Sequence, residues 1–103
     1  MGKNRDRLSI IAAILEAVNS GVSKTRILFM ANLSFSLLEK YLDVVVGAGF
    51  VRAEGCRYEM TEHGREYLKQ YKNFHARYVM AQKLLEALGC ERDKLALMCE
   101  DLG

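Results

Sequence analysis

The residue types with the widest chemical scope are few and scattered. Cys56, Cys90 and Cys99 make an odd number with no CxxC pair, and only two histidines, His63 and His75, accompany them. Cys90 and Cys99 could join a histidine around a metal, but structural zinc sites show closely spaced ligand pairs. Free thiols, buried or half-buried, in a reducing cytoplasmic compartment are the expectation, with no metal and no cofactor. No Ser/His/Asp or Cys/His set has motif context and no phosphate loop occurs, so the chain does not read as an enzyme. Val44-Val45-Val46 followed by Gly47-Ala48-Gly49 begins like a dinucleotide-binding strand and loop. Arg52 stands where the third glycine belongs, however, and no helix pattern follows.

What remains is charge. The 103 residues carry 15 Lys+Arg against 13 Asp+Glu, a formal net charge of +2. That total neither demands nor excludes a polyanionic partner. Its distribution says more. Residues 1–26 hold Lys3, Arg5, Arg7, Lys24 and Arg26 against Asp6 and Glu16, a net of +3. Arg52 and Arg57 lie further along, whereas Ser34–Ala48 sets Lys40 against Glu39 and Asp43, a net of −1.

These residues need elements to position them. Half the residues are hydrophobic, 27% are charged and none is proline, which fits one globular, mostly helical domain. No stretch reaches the ~18 apolar residues of a membrane span. The N-terminus puts charges before an apolar segment, but Glu16 interrupts that segment and its apolar residues recur at helical spacing, so it reads as a folded helix. This first helix is expected from about Asp6 to Asn19, with Leu8, Ile11, Ile14, Leu15 and Val18 on one face. Lys3, Arg5 and Arg7 sit at its entry, as a basic arm or as a solvated terminus. Ser23 caps a second helix that stops near Ala31-Asn32. Ser34 caps a third, where Leu33 and Leu38 can form a hydrophobic staple. In that helix Leu38, Leu42 and Val45 face a core while Ser36, Glu39, Lys40 and Asp43 face out. Gly49 stops it, with Phe50 packing back. Val51–Ala53 and Arg57–Met60 form a hairpin around Glu54-Gly55, with Tyr58 and Met60 facing in.

Thr61 then caps a long helix reaching Leu88, ~42 Å at 1.5 Å per residue. Tyr67, Tyr71, Phe74, Tyr78, Ala81, Leu85 and Leu88 recur at spacings of 4, 3, 4, 3, 4 and 3, a heptad seam that calls for a partner helix. The spacing alone does not separate parallel from antiparallel pairing. Gly89 is expected to end the helix. Leu95, Met98 and Leu102 are expected to form a short fifth helix folding back over Val79 and Met80.

Three helices, a hairpin and a further helix is the order of a winged helix-turn-helix. The string Met60-Thr61-Glu62-His63-Gly64-Arg65-Glu66-Tyr67-Leu68 is similar to the L-T-x-x-G-x-x-x-L entry into the last helix of many small archaeal winged-helix proteins. Met30-Ala31-Asn32-Leu33-Ser34-Phe35-Ser36, with Tyr41-Leu42, resembles the turn and recognition helix of the ten-kilodalton Sulfolobus-type archaeal chromatin proteins. The resemblance covers about residues 5–88. It implies a mostly α fold with a small β-hairpin, a winged-helix domain (1–66) followed by a coiled-coil dimerisation helix (67–89), and the helical spacing beyond it adds a short helical tail (90–103). It further implies a homodimer whose long helices pair antiparallel and hold two winged domains apart to meet duplex DNA.

In winged-helix docking the start of the third helix enters the major groove and the wing reaches backbone or minor groove. Ser34, Phe35, Ser36, Glu39, Lys40 and Asp43 then lie near bases, where the carboxylates of Glu39 and Asp43 repel phosphates, and Lys24, Arg26, Arg52 and Arg57 lie near phosphates, with Arg5 and Arg7 in the N-terminal segment. Ser36 and Lys40 can donate hydrogen bonds, while Phe35 either meets a thymine methyl or packs inside. Duplex DNA and a second copy of the chain are the expected partners, and transcriptional regulation or chromatin association the expected role. The acidic third helix also suits a protein-interaction adaptor built on the same scaffold.

Overall fold

The computed structural model describes residues 6–19 and 21–102. The elements run α1 (Arg7–Ala17), β1 (Val22–Ser23), α2 (Lys24–Ala31), α3 (Phe35–Gly47), β2 (Val51–Glu54), β3 (Arg57–Met60) and α4 (Glu62–Leu102). Polar side chains set the starts of the first three helices. Asp6 accepts from the Ser9 amide, Ser23 from that of Arg26 and Ser34 from that of Leu37. Each such cap satisfies an amide that the helix itself leaves unpaired, typically stabilising by about 1 kcal/mol.

The helix ends are equally local. Asn32 adopts left-handed backbone (φ 55°, ψ 54°). The amides of Asn32 and Leu33 return to the carbonyls of Phe29 and Leu28. After α3, Gly49 turns the chain at φ +82°, and the amides of Gly49 and Phe50 return to Val46 and Val45. This paired closure seals a helix C-terminus and turns the next apolar residue back on it.

Ile14, Leu15, Val18, Ile27, Leu38 and Val45 are fully buried, and Tyr41, Leu42, Val51 and Met60 complete the core. Leu8, expected on the inner face of α1, is instead 44% exposed, because it sits in the first turn where little packs over it. The hairpin expected from residues 51–60 is part of a three-stranded antiparallel sheet ordered β1-β3-β2. Val51 pairs with Met60 and Glu54 with Arg57, while the two residues of β1, Val22 and Ser23, pair with Tyr58 and Arg57.

Thr61 joins the sheet to α4 and to the end of α3. Its amide donates to the Phe50 carbonyl (2.9 Å) and its hydroxyl to the Gly49 carbonyl (2.5 Å). The same hydroxyl accepts from the Gly64 amide (3.1 Å). Gly64 is needed here: a Cβ at this position would lie 2.2 Å from the Phe50 carbonyl oxygen.

The chain divides into two compact units, Met1–Tyr71 and Lys72–Gly103. The first holds the core and sheet. The second is helical: from Lys72 to Glu100 no residue is buried, and all but the half-buried Val79 and Gly89 are exposed. Two expectations fail in it. Gly89 does not end the helix, which runs unbroken to Leu102. Among the described residues no fifth helix folds back either, and Met80, Leu95 and Met98 are 67%, 62% and 63% exposed. The cysteines also differ from expectation, since all three are exposed. Among the described residues no helix is long and apolar enough to cross a membrane.

Candidate nucleic-acid interface

The left-handed turn at Asn32 and the Ser34 cap fix where α3 begins, and Phe35 is its first helical residue. Phe35 is 61% exposed, which decides between the two placements open to it: the ring faces outward and is not core. Lys24, at the start of α2, lies over that ring, its ammonium 5.3 Å from the centroid. The same ammonium forms a hydrogen-bonded ion pair with Glu39, one turn along α3 from Phe35. The Glu39 hydrogen bond is the main reason that Lys24 is held above its ordinary value of 10.5.

This pairing changes the electrostatics of α3. Glu39 has its counter-ion within the domain, in a pair that stays partly exposed on both sides. Lys40 and Asp43 are left as the other charges on α3, both exposed. The Lys40 ammonium sits 5.5 Å from the Tyr41 ring. Ser36 is exposed one turn before Lys40, and the Ser34 hydroxyl is the helix cap. Phe29 and Met30, at the end of α2, are exposed too, at 76% and 57%.

The remaining expected cations fall into two places. Arg26 and Arg57 line an open cleft of about 350 Å³ together with Gly21, Val22 and Ser23. The Arg57 guanidinium donates to the Gly21 carbonyl at 2.6 Å, so it ties β1 to β3 as well as lending charge. Arg52, on β2, donates to Glu59 across the ladder (3.0 Å) and lies 3.6 Å from Glu54. Exposed pairs of this kind are worth little, yet with Glu54 and Glu59 set against Arg52 and Arg57 the wing carries no net charge. Arg7 is exposed at the start of α1, and Arg5 lies outside the described residues.

The seam residues divide between the units. In the first, Tyr67 rests against Phe50, with ring centroids 4.7 Å apart, and against the core. Tyr71 stacks on it at 6.5 Å. Burial pushes both phenols above their ordinary value of 10.0, and the Tyr67 hydroxyl is buried with no hydrogen-bond partner among the described residues. In the second unit, Phe74, Tyr78, Leu85 and Leu88 are between 44% and 67% exposed, and Ala81 is exposed beside them. Continuing the same spacing past Leu88 reaches Arg92, Leu95 and Cys99.

Sequence reasoning missed three features of this surface: β1, the Arg57–Gly21 tie and the Lys24–Glu39 pair. Gly21 followed by β-branched Val22 was the available signal for β1. Nothing local signals the other two, whose partners are 36 and 15 residues apart.

A three-helix core with a helix-turn-helix, closed by a twisted hairpin and followed by a further helix, defines a winged helix-turn-helix protein. The winged helix-turn-helix family profile matches residues 4–79, and the chain belongs to that family. It is 33% identical over 72 residues to the uncharacterized protein MJ0287 of Methanocaldococcus jannaschii, a match covering 68% of this chain and 74% of that one. Among solved structures it is similar to Sso10a-2, described as a DNA-binding protein from Sulfolobus solfataricus. The TM-score is 0.65 at 24% identity, over 82% of this chain and 96% of that one.

Proposed function

We propose that this chain binds duplex DNA through the start of α3 and the wing, and that it does so as a homodimer held by α4. The observation that carries the reading is the exposed first turn and a half of α3. There Phe35, Ser36 and Lys40 face solvent while the one acid among them, Glu39, is paired with Lys24. A helix start of that composition suits the major groove. Arg26 and Arg57, at the cleft beside the start of α2, suit phosphate contact, with Arg52 and the N-terminal Arg7 as further backbone contacts. The fold shared with Sso10a-2, itself a DNA-binding protein, supports the same partner.

Self-association rests on the second unit. A helix that keeps a heptad seam of Phe74, Tyr78, Ala81, Leu85 and Leu88 exposed along its length has a surface suited to another such helix. Aromatic residues crowd its first half and aliphatic ones its second. Antiparallel pairing sets each aromatic against an aliphatic residue, whereas parallel pairing sets aromatic on aromatic. Two winged modules on one DNA also gain from effective concentration. The role of such a dimer is transcriptional regulation or chromatin association.

A gel-mobility titration of a 20-base-pair duplex at two salt concentrations tests DNA binding. A retarded complex that weakens as salt rises is expected, because neutralised phosphates release counterions. No complex at low salt overturns the reading and favours the adaptor, for which the exposed Phe29 and Met30 are the supporting observation.

A further inference from the structure

Phe35 occupies an unusual position for an aromatic residue. It is the first helical residue of α3, mostly exposed, and yet contacted on one face by a charged side chain. The Lys24 ammonium covers one face of the ring, and Glu39 pairs with that ammonium. The cation–π contact and the ion pair together orient a ring that packing alone leaves free. With Phe35 61% exposed, much of the ring surface is open to an apolar contact. Two hydrogen-bonding residues follow it on α3, both exposed: Ser36, next in the chain, and Lys40, one turn beyond Ser36.

The major-groove edges of the four base pairs present donors, acceptors and one apolar group, the thymine C5 methyl. A fixed, outward-facing phenyl ring at the leading end of a recognition helix matches that group and none of the others. We propose that Phe35 is a specificity-determining residue that reads thymine through its methyl, with the Lys24–Glu39 pair as the clamp that positions the ring. The inference rests on the DNA-binding reading above and deepens it: the preferred ligand is a duplex with thymine beneath the start of α3. The clamp has a second effect. It offsets the Glu39 charge that otherwise repels the phosphates flanking that thymine.

The test compares two A·T-rich duplexes of identical sequence, one with thymine and one with deoxyuridine throughout, by fluorescence anisotropy. The pair differs by methyl groups and not by charge or pairing. Burying one methyl-sized group contributes about 0.8 kcal/mol, which at 1.4 kcal/mol per tenfold is about fourfold in affinity per contacted thymine. The wild-type chain is expected to bind the thymine duplex at least fourfold more tightly. Phe35→Ala is expected to bind both duplexes alike, at the level of wild type on deoxyuridine, with its salt dependence unchanged. Phe35→Leu, which keeps an apolar side chain, is expected to retain part of the preference. Circular dichroism checks that both variants keep the fold, as an exposed position allows. Salt-dependent binding with no methyl preference in the wild type overturns the proposal while leaving DNA binding intact. A preference that survives in Phe35→Ala overturns it too, as does a Phe35→Ala loss equal on both duplexes. Absence of binding to either duplex overturns the DNA reading itself.

Discussion

Replacing Gly64 by alanine sets two effects of opposite sign against each other. Alanine is favoured over glycine inside a helix by ~0.8–1 kcal/mol, and Gly64 lies in the first turn of α4. Against this, the new Cβ would stand 2.2 Å from the Phe50 carbonyl oxygen, 3.0 Å from its carbon and 2.9 Å from the Met60 Cγ. The methionine can rotate away, but the Phe50 carbonyl is anchored on both sides. It accepts the Thr61 amide at 2.9 Å, and the Phe50 amide is tied to Val45 at 2.9 Å. Relieving the clash therefore means pulling α4 off the end of α3. Overpacking costs typically ~1–3 kcal/mol and more where backbone must move, so a net loss of about 2 kcal/mol or more is expected. For a domain of this size that lowers the melting temperature by roughly 10 °C or more. Thermal melts followed by far-ultraviolet circular dichroism at fixed protein concentration measure it. Gly47→Ala is the matched control: it is helical with nothing within 4 Å of a new Cβ, so the propensity gain acts alone and the melting temperature should rise by a few degrees. A Gly64→Ala chain that melts at or above wild type refutes the reasoning.

Leu85→Asp places a carboxylate in the proposed helix seam. An uncompensated charge there is expected to weaken the dimer by about 3 kcal/mol, roughly a hundredfold in Kd, which sedimentation equilibrium reads as a shift towards monomer. Tyr67→Phe removes a buried hydroxyl that has no partner among the described residues; urea denaturation at neutral pH should show stability unchanged or raised by up to ~1–2 kcal/mol. Tyr67 and Tyr71 hold their phenol protons more tightly folded than unfolded, chiefly through burial. The unfolded chain therefore binds fewer protons above pH ~10, and stability present below that pH is lost as pH rises through the folded values. Urea midpoints at pH 8 and pH 11 check the sign, and Tyr67→Phe should shrink the difference.

The first unit was legible because its signals are local. Ser23 and Ser34 start helices by capping them, Asn32 and Gly49 end helices by accepting left-handed backbone, and Leu38, Leu42 and Val45 recur at helical spacing. Gly89 shows what such a signal needs in order to act. Gly49 is followed by Phe50, which packs back on the core and secures the stop. Gly89 is followed by Cys90, Glu91 and Arg92, none of them buried, so nothing holds the chain in a turn and helix continues. Two-residue β1 has strand geometry only because β3 pairs with it, and that pairing is invisible in a local window.

The free charge of the candidate surface is smaller than residue types alone suggest. Residue types place Arg52 and Arg57 in the wing, but they do not reveal that Glu54 and Glu59 hold one and Gly21 the other. Nor do they reveal that the troublesome Glu39 is matched by Lys24, 15 residues earlier. Both are tertiary pairings, set by where α2 and β3 lie beside their neighbours. Phe35 was ambiguous for a related reason: an aromatic residue beside a helix cap packs inward or outward according to what the fold leaves open, and here the core is already filled by Leu38 and Tyr41.

The central claim is that the start of α3 and the wing meet duplex DNA. Amide chemical-shift mapping of the isotope-labelled chain during titration with an unlabelled 20-base-pair duplex tests it most directly. The largest shifts are expected on Ser23–Arg26, Phe35–Lys40 and Arg52–Arg57, and added salt should reverse them. Shifts confined to Lys72 and beyond, or a spectrum that does not move at low salt, would contradict it.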